Sequence, residues 1–248
     1  MYNPFSIEGK TIFITGASSG IGRATAIECS RMGAVLFITG RNPKGLQETY
    51  DKLEGNGHVQ ILADLSDSLN IPDIVDQLSP LDGAVHCAGF TNMTPFQFIG
   101  EKDLNAIMQV NFTAPALLSQ ALVKTKKLKK GASVVFISSI SGVYCSSVAG
   151  SMYSASKGAV NGLVKGMALD LAPRKIRVNS VTPGMIDTHL FSEGAITEEL
   201  FREDIKRYPL SRYGQPEEVA HAVIYLLSDA TQWITGSNLL IDGGYTLL

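Results

Sequence analysis

Tyr153 and Lys157 stand four residues apart in the segment Ser151–Ala172, whose pattern predicts a helix, so both side chains fall on one face. A phenol ordinarily titrates near pH 10. An ammonium beside it stabilises the phenolate and draws that value toward the working range. Such a pair can give a proton to an oxygen of a bound molecule, or take one from it. The same spacing also arises by chance in a chain with 8 tyrosines, so the pair needs support. Ser139 supplies it. Ser138-Ser139 closes a predicted strand, Ser133–Ser138, and in open α/β sheets ligands bind at the carboxyl ends of strands. A hydroxyl placed there can donate to a carbonyl oxygen as negative charge develops on it.

A second feature lies near the amino terminus. The stretch Thr15-Gly16-Ala17-Ser18-Ser19-Gly20-Ile21-Gly22 falls where a predicted strand becomes a helix. Glycines there permit a tight turn and close approach of a ligand to the backbone. The helix start then offers free N–H groups to a pyrophosphate. The spacing is G-x-x-x-G-x-G rather than G-x-G-x-x-G, and a tight βα loop is the plain alternative. At the end of the next strand, where an acid would accept from the ribose hydroxyls of NAD, the chain reads Thr39-Gly40-Arg41. The Arg41 guanidinium suits a 2′-phosphate by charge and shape, which favours NADP over NAD. An acid in place of Gly40, with Arg41 removed, is accordingly expected to invert that preference.

These residues need elements to position them, and the pattern supplies them. Strands are predicted at Thr11–Thr15, Ala34–Thr39, His58–Leu62, Gly83–Cys87, Ser133–Ser138, Arg177–Val181 and Asn238–Ile241. Helices are predicted between them, the long ones at Glu101–Lys126, bent by Pro115, and at Ser151–Ala172. Short apolar strands alternating with helices mean right-handed βαβ units. The expected fold is a single-domain, Rossmann-type, doubly wound parallel sheet of about seven strands with helices on both faces.

Composition narrows the class further. The 248 residues carry a net charge of −2, so a nucleic-acid-binding surface is not expected. Three scattered cysteines (Cys29, Cys87 and Cys145) and 4 histidines without a close pair leave no disulfide framework and no metal motif. The start of the chain has no signal pattern, and no apolar stretch approaches a membrane span. A cytoplasmic location is expected. The segment Lys124–Lys130 is rich in lysine, which reads most simply as a solvated helix end.

With these pieces in place, the sequence resembles the short-chain dehydrogenase/reductase family over essentially its whole length. The matching motifs are TGASSGIG (15–22), DL (64–65), CAG (87–89), Asn111, ISS (137–139), YSASK (153–157), PGMIDT (183–188) and IDGG (241–244). The resemblance implies that Tyr153 is the catalytic acid/base. Lys157 would lower its pKa and hold the nicotinamide ribose, and Ser139 would orient the substrate carbonyl. Asn111 would bend the long helix and hold a water leading from Lys157 to solvent. Asp64 and Leu65 would flank the adenine. Ala88 and Gly89 would line the cofactor, and Pro183, Gly184, Ile186 and Thr188 its nicotinamide end. One departure stands out: His86 and Cys87 replace the two asparagines usual before Ala88-Gly89. Cys87 is expected to be a small buried apolar residue, not a nucleophile.

Within the family the chain most resembles the β-ketoacyl-acyl-carrier-protein reductases. That implies NADPH-dependent reduction of a ketone, on a small-molecule or carrier-linked substrate. Residues 185–207 would form a substrate lid, and Lys129, Lys130, Arg174 and Lys175 would receive an acidic carrier near the site mouth. A homotetramer or dimer is expected, built on the two long helices. The alternatives are an NAD-linked alcohol, sugar or steroid dehydrogenase, and a dinucleotide-binding sensor without turnover.

Overall fold

The structure is a computed structural model that describes residues 2–188 and 202–248. Seven strands form its sheet: β1 (Thr11–Thr15), β2 (Val35–Gly40), β3 (Val59–Leu62), β4 (Leu81–His86), β5 (Leu128–Ile137), β6 (Arg177–Pro183) and β7 (Asn238–Ile241). The helices are α1 (Gly20–Arg31), α2 (Pro43–Tyr50), α3 (Ile71–Asp76), α4 (Glu101–Met108), α5 (Ala114–Lys124), α6 (Ser151–Leu171) and α7 (Pro216–Leu227). All strand pairs are parallel, in the order β3-β2-β1-β4-β5-β6-β7. The expected doubly wound sheet is present.

Period-two alternation explains the two-sided core. In β1, Phe13 faces the layer of α3, α5 and α6, while Ile12 and Ile14 face the layer of α1 and α7. In β5, Val134 and Phe136 take the first side, and Val135 and Ile137 the second. The chain reverses direction across the sheet between β1 and β4, and a crevice opens there beyond their carboxyl ends.

Three local expectations are corrected. The long helix is interrupted by a π turn at Gln109–Thr113, ahead of Pro115 rather than at it. Proline has no N–H to donate to the carbonyl four residues back, that of Asn111, so the regular ladder fails in the preceding turn. Read as one run, Glu101–Lys124 reaches a mean hydropathy of 1.3 over 18 residues, so by length and composition it is long enough to cross a bilayer. Its apolar face is used against the sheet instead, where Ile107, Ala114, Leu118 and Leu122 are fully buried. Finally, β5 begins five residues earlier than its apolar run, because Leu128 pairs with Leu81 across a bulge. The polar residues Lys129 and Lys130 hide that start from a hydrophobicity pattern.

This early start also places the cationic cluster. Lys129 and Lys130 lie at the amino end of β5, and Arg174 and Lys175 just before β6. A strand of that length spans roughly 30 Å, so within the chain these cations sit on the edge of the sheet opposite Ser139 and Tyr153. The expected position at the site mouth is not observed. Lys129 instead pairs with Asp82 at 2.7 Å, and Arg174 donates to the Leu128 carbonyl at 2.6 Å.

Candidate active site

A cleft of about 490 Å³ lies along the carboxyl edge of the sheet. Its size suits a small ligand or cofactor. Gly16, Ser18, Ser19, Gly20, Ile21 and Gly22 form one wall, with Arg41 at one end. Asp64 and Leu65 line it after β3, and Ala88 and Gly89 after β4. Ser139, Tyr153 and Lys157 close its deeper end, together with Pro183, Gly184, Ile186 and Thr188. Every residue expected from the sequence lines this cleft except Asn111, which is buried behind it. Of the expected lid, residues 189–201 lie outside the described residues.

The glycine turn fits a dinucleotide on its own geometry. A side chain at Gly16 would meet the Ala88 backbone nitrogen at 2.7 Å, and one at Gly22 would run into the Gly16 carbonyl oxygen. Without side chains at these positions the turn closes on the loop after β4 and on the start of α1, and its backbone lines the crevice. The start of α1 carries no acidic residue in its first turn, and its cap residue Ser19 makes no side-chain capping bond. The positive helix end is left for an anion. Arg41 is exposed at the rim, and among the described residues it has no ion-pair partner.

Sequence reasoning missed Arg23, which follows Gly22 directly. Its guanidinium donates to the Ser18 carbonyl at 2.7 Å and to the Gly45 carbonyl at 3.1 Å, pairs with Glu48 at 3.1 Å, and reaches Thr49 Oγ1 at 3.0 Å. It rivets the turn to α2.

At the other end, Lys157 Nζ donates to the Ile137 carbonyl at 2.8 Å and lies 5.7 Å from the centre of the Tyr153 ring. Burial lowers the Lys157 pKa to about 8. Tyr153 moves the other way from the expectation: burial raises its pKa, opposed by a hydrogen bond with Ser139. The ammonium is directed at a backbone carbonyl instead of the phenol oxygen, so desolvation prevails and the hydroxyl stays protonated at neutral pH.

Supports behind the cleft hold these groups. Asn111 Nδ2 donates to the Phe90 carbonyl and to Ser156 Oγ, each at 3.0 Å, and its Oδ1 accepts from the Phe90 N–H at 3.0 Å. It thus ties the loop after β4 to α6. Asn161, also missed, is one turn beyond Lys157; it donates to Ser138 Oγ at 2.8 Å and accepts from Ser180 Oγ at 3.1 Å. A buried polar residue at that helical spacing was the available signal. His86 accounts for its own departure: it bonds Ser119 Oγ at 2.9 Å, stacks on Phe136, and burial lowers its pKa to about 3, so it is neutral. Cys87 is half-buried and lines the cleft, short of the full burial expected for it, because it follows β4 at the open edge of the sheet; desolvation there still pushes its thiol up to about 12, which fits an inert thiol.

A parallel sheet with a glycine turn at its switch point, and a tyrosine, serine and lysine at the far end of one cleft, defines a nicotinamide-dependent oxidoreductase of the CH–OH/C=O type. Comparison with known proteins agrees. A family profile described as "Enoyl-(Acyl carrier protein) reductase" matches residues 16–246. The chain is 33% identical to the 3-oxoacyl-(acyl-carrier-protein) reductase FabG of Thermotoga maritima, over 97% of this chain and 99% of that protein. The crystal structure of a short-chain type dehydrogenase/reductase from Mycobacterium marinum superposes with a TM-score of 0.88 at 33% identity, covering 99% of this chain and 98% of that one. A putative 2-deoxy-D-gluconate 3-dehydrogenase from Agrobacterium tumefaciens with bound NADP gives 0.90 at 29% identity, covering 100% of each chain. The protein belongs to the short-chain dehydrogenase/reductase family.

Proposed function

We propose that the protein is an NADPH-dependent reductase that converts a ketone to a secondary alcohol, with Tyr153 as proton donor. The observation that carries this reading is the gathering of Ser139, Tyr153 and Lys157 at the deeper end of the cleft that Arg41 terminates. When bound, the dinucleotide supplies the hydride. Ser139 holds the carbonyl oxygen by donating a hydrogen bond, and Tyr153 gives that oxygen its proton. Lys157 carries the positive charge that offsets the phenolate left behind. Asn111 and Asn161 position these groups. Arg41, Ser18 and the start of α1 take the phosphates.

The substrate class we favour is an acyl or otherwise apolar ketone, carried or free, as in the FabG relative. The loops leaving the cleft after β4 and β5 are joined by the Thr94 N–H donating to the Ala149 carbonyl at 3.0 Å. They expose Met93, Phe96 and Val148, the last two 81% and 92% accessible. Such a rim suits an alkyl chain better than a sugar acid. A ketone panel followed by loss of NADPH absorbance tests this. Turnover should be highest with 3-oxoacyl thioesters, and faster with NADPH than with NADH; preference for a keto-sugar acid would reverse the substrate assignment.

The pH dependence follows from Lys157. Its cationic form exists below about pH 8, so kcat/KM for reduction, which reports the free enzyme, should fall as pH rises through that value. Because burial holds its pKa below the ordinary 10.5, the unfolded chain binds the extra proton between those values. Lys157 thus opposes folding most below about pH 8, and this penalty relaxes as pH rises toward 10.5. A profile flat to pH 10 would remove Lys157 from the role.

We also propose a homotetramer or dimer. Gly162 and Gly166 on α6 have open space beyond them, and Leu104, Leu117, Leu169 and a 100% accessible Trp233 are left on the surface. Light scattering should give a multiple of 26.6 kDa; a monomer at micromolar concentration would contradict it.

A further inference from the structure

The cleft draws on the carboxyl end of every strand but β7. Arg41 follows β2, Asp64 follows β3, the glycine turn follows β1, Ala88 follows β4, Ser139 follows β5, and Pro183 ends β6. Ser139 and Tyr153, the reacting groups, stand at the far end of that row, and the strand order leaves only β7 beyond β6. The side of Ser139 away from the dinucleotide is therefore the β7 side.

Arg207 is a cation on that side. It ends the short turn Ile205–Arg207, and its guanidinium lies 4.8 Å from the centre of the Tyr245 ring, just after β7, and donates to the Tyr245 hydroxyl. Tyr208, the next residue, has its ring 4.9 Å from that of Tyr245, and its hydroxyl accepts from the Met185 N–H at 3.4 Å. Met185 lines the cleft. From the other direction, the Ser141 N–H donates to Ser139 Oγ at 3.1 Å, and Ser141 is bridged to Cys145. Cys145 lies within electrostatic reach of both Arg207 and Asp242: burial raises its pKa, Arg207 opposes this, and Asp242 adds to it. Arg207 thus stands between the loop that carries Ser139 and the end of β7.

Its charge is only partly answered. Asp204 pairs with it at 3.1 Å, but the same carboxylate accepts from the Tyr213 hydroxyl at 2.7 Å. Asp242 is engaged by the Gly244 and Thr246 N–H groups and the Thr246 hydroxyl. The neighbouring Arg212, by contrast, is closed by a two-pronged pair with Glu218 at 2.6 and 2.7 Å. The Arg207 side chain stays 61% accessible, and a guanidinium has more N–H donors than these partners use. We propose that Arg207 is a specificity-determining residue that takes an anionic oxygen group of the substrate, a carboxylate or a phosphate, on the side of Ser139 away from the dinucleotide. The inference rests on the reading of the cleft as a ketone reductase site and deepens it. The preferred substrate is an amphiphilic ketone, its alkyl part toward Met93 and Phe96 after β4 and its anionic part toward β7. A free keto acid and the phosphate of a pantetheine arm share that chemistry.

Acetoacetate and levulinate, each beside its ethyl ester, and acetoacetyl-pantetheine beside its phosphorylated form separate the charge from the ketone. With wild type, the anion should have the lower KM in at least one kind of pair. Arg207→Gln should cut that advantage in kcat/KM about five- to tenfold, the low end for a charge-assisted bond because the site is exposed, and should do so through KM. Arg207→Lys keeps the charge and loses the fork, so it should restore part of the advantage. Added salt should shrink it in wild type. A loss confined to the keto acids names a carboxylate as the anion; a loss confined to the phosphorylated arm names the carrier phosphate. An Arg207→Gln variant that keeps the wild-type ratios overturns the proposal. So does one slowed equally on anionic and neutral substrates, which marks Arg207 as a strut for Tyr245. Calorimetric titration of acetoacetate and of phosphopantetheine onto the protein with its oxidised dinucleotide needs no turnover. If wild type reduces none of the ketones, weaker binding of either anion to Arg207→Gln keeps the anion site and overturns only the reductase reading, whereas equal binding overturns both.

Discussion

Tyr153→Phe should lower kcat by roughly 10²–10⁴-fold, the range that a positioned general acid contributes, while retaining most of the affinity for cofactor. The change deletes one oxygen. The ring stays packed in the wall of the cleft with Lys157 Nζ 5.7 Å from its centre, so the fold has no reason to respond. The hydroxyl is the only group of this side chain that can exchange a proton, and burial keeps it protonated at neutral pH. Steady-state reduction rates beside a cofactor titration check the result. A variant that keeps more than about a tenth of wild-type kcat would transfer the acid role to another group.

Gly142→Ala should damage both stability and rate. Gly142 lies in the loop between Ser139 and Tyr153 with φ +85, and an added Cβ would run into the Ser154 carbonyl oxygen and stand 2.8 Å from the Gly158 nitrogen. The left-handed conformation costs a non-glycine residue about 1–2 kcal/mol, and forced overpacking a further 1–3 kcal/mol. For a domain of this size that corresponds to a fall in Tm on the order of 5–15 °C. The obstructing atoms are helix backbone, so the loop must yield, and Ser139 moves with it. A shift near 1 Å in a reacting group costs about 10²-fold in rate. Thermal melting and kcat measured together test this; an unchanged Tm with wild-type kcat would show that the loop accommodates the methyl group elsewhere.

The sequence revealed the strands, the glycine turn and the Tyr153–Lys157 pair because each is local. β-branched runs bounded by glycines mark parallel strands, and a spacing of four on a helix fixes a shared face. Arg41 was legible for the same reason, as the residue that follows a strand end. The errors share another cause. The cations at Lys129 and Lys130 look close to the site along the chain, since Ser139 follows within ten residues. Those residues form an extended strand, which carries them to the opposite edge of the sheet.

What the sequence determined by itself is therefore the class of fold and the residues gathered at the strand ends, because hydrophobic periodicity and turn chemistry act between near neighbours. Only the tertiary structure decided how those residues bear on one another. The Lys157 ammonium meets the Ile137 carbonyl and leaves the Tyr153 hydroxyl to desolvation, which reverses the direction read from their spacing. Arg23 reaches across to α2, and Ser18 stands against Gly40, more than twenty residues away along the chain. Distances of this kind are set by the packing of α1, α2 and α6 onto a common sheet. Pair spacing along the chain does not contain them, since they depend on which side chains are small enough to let two backbones close.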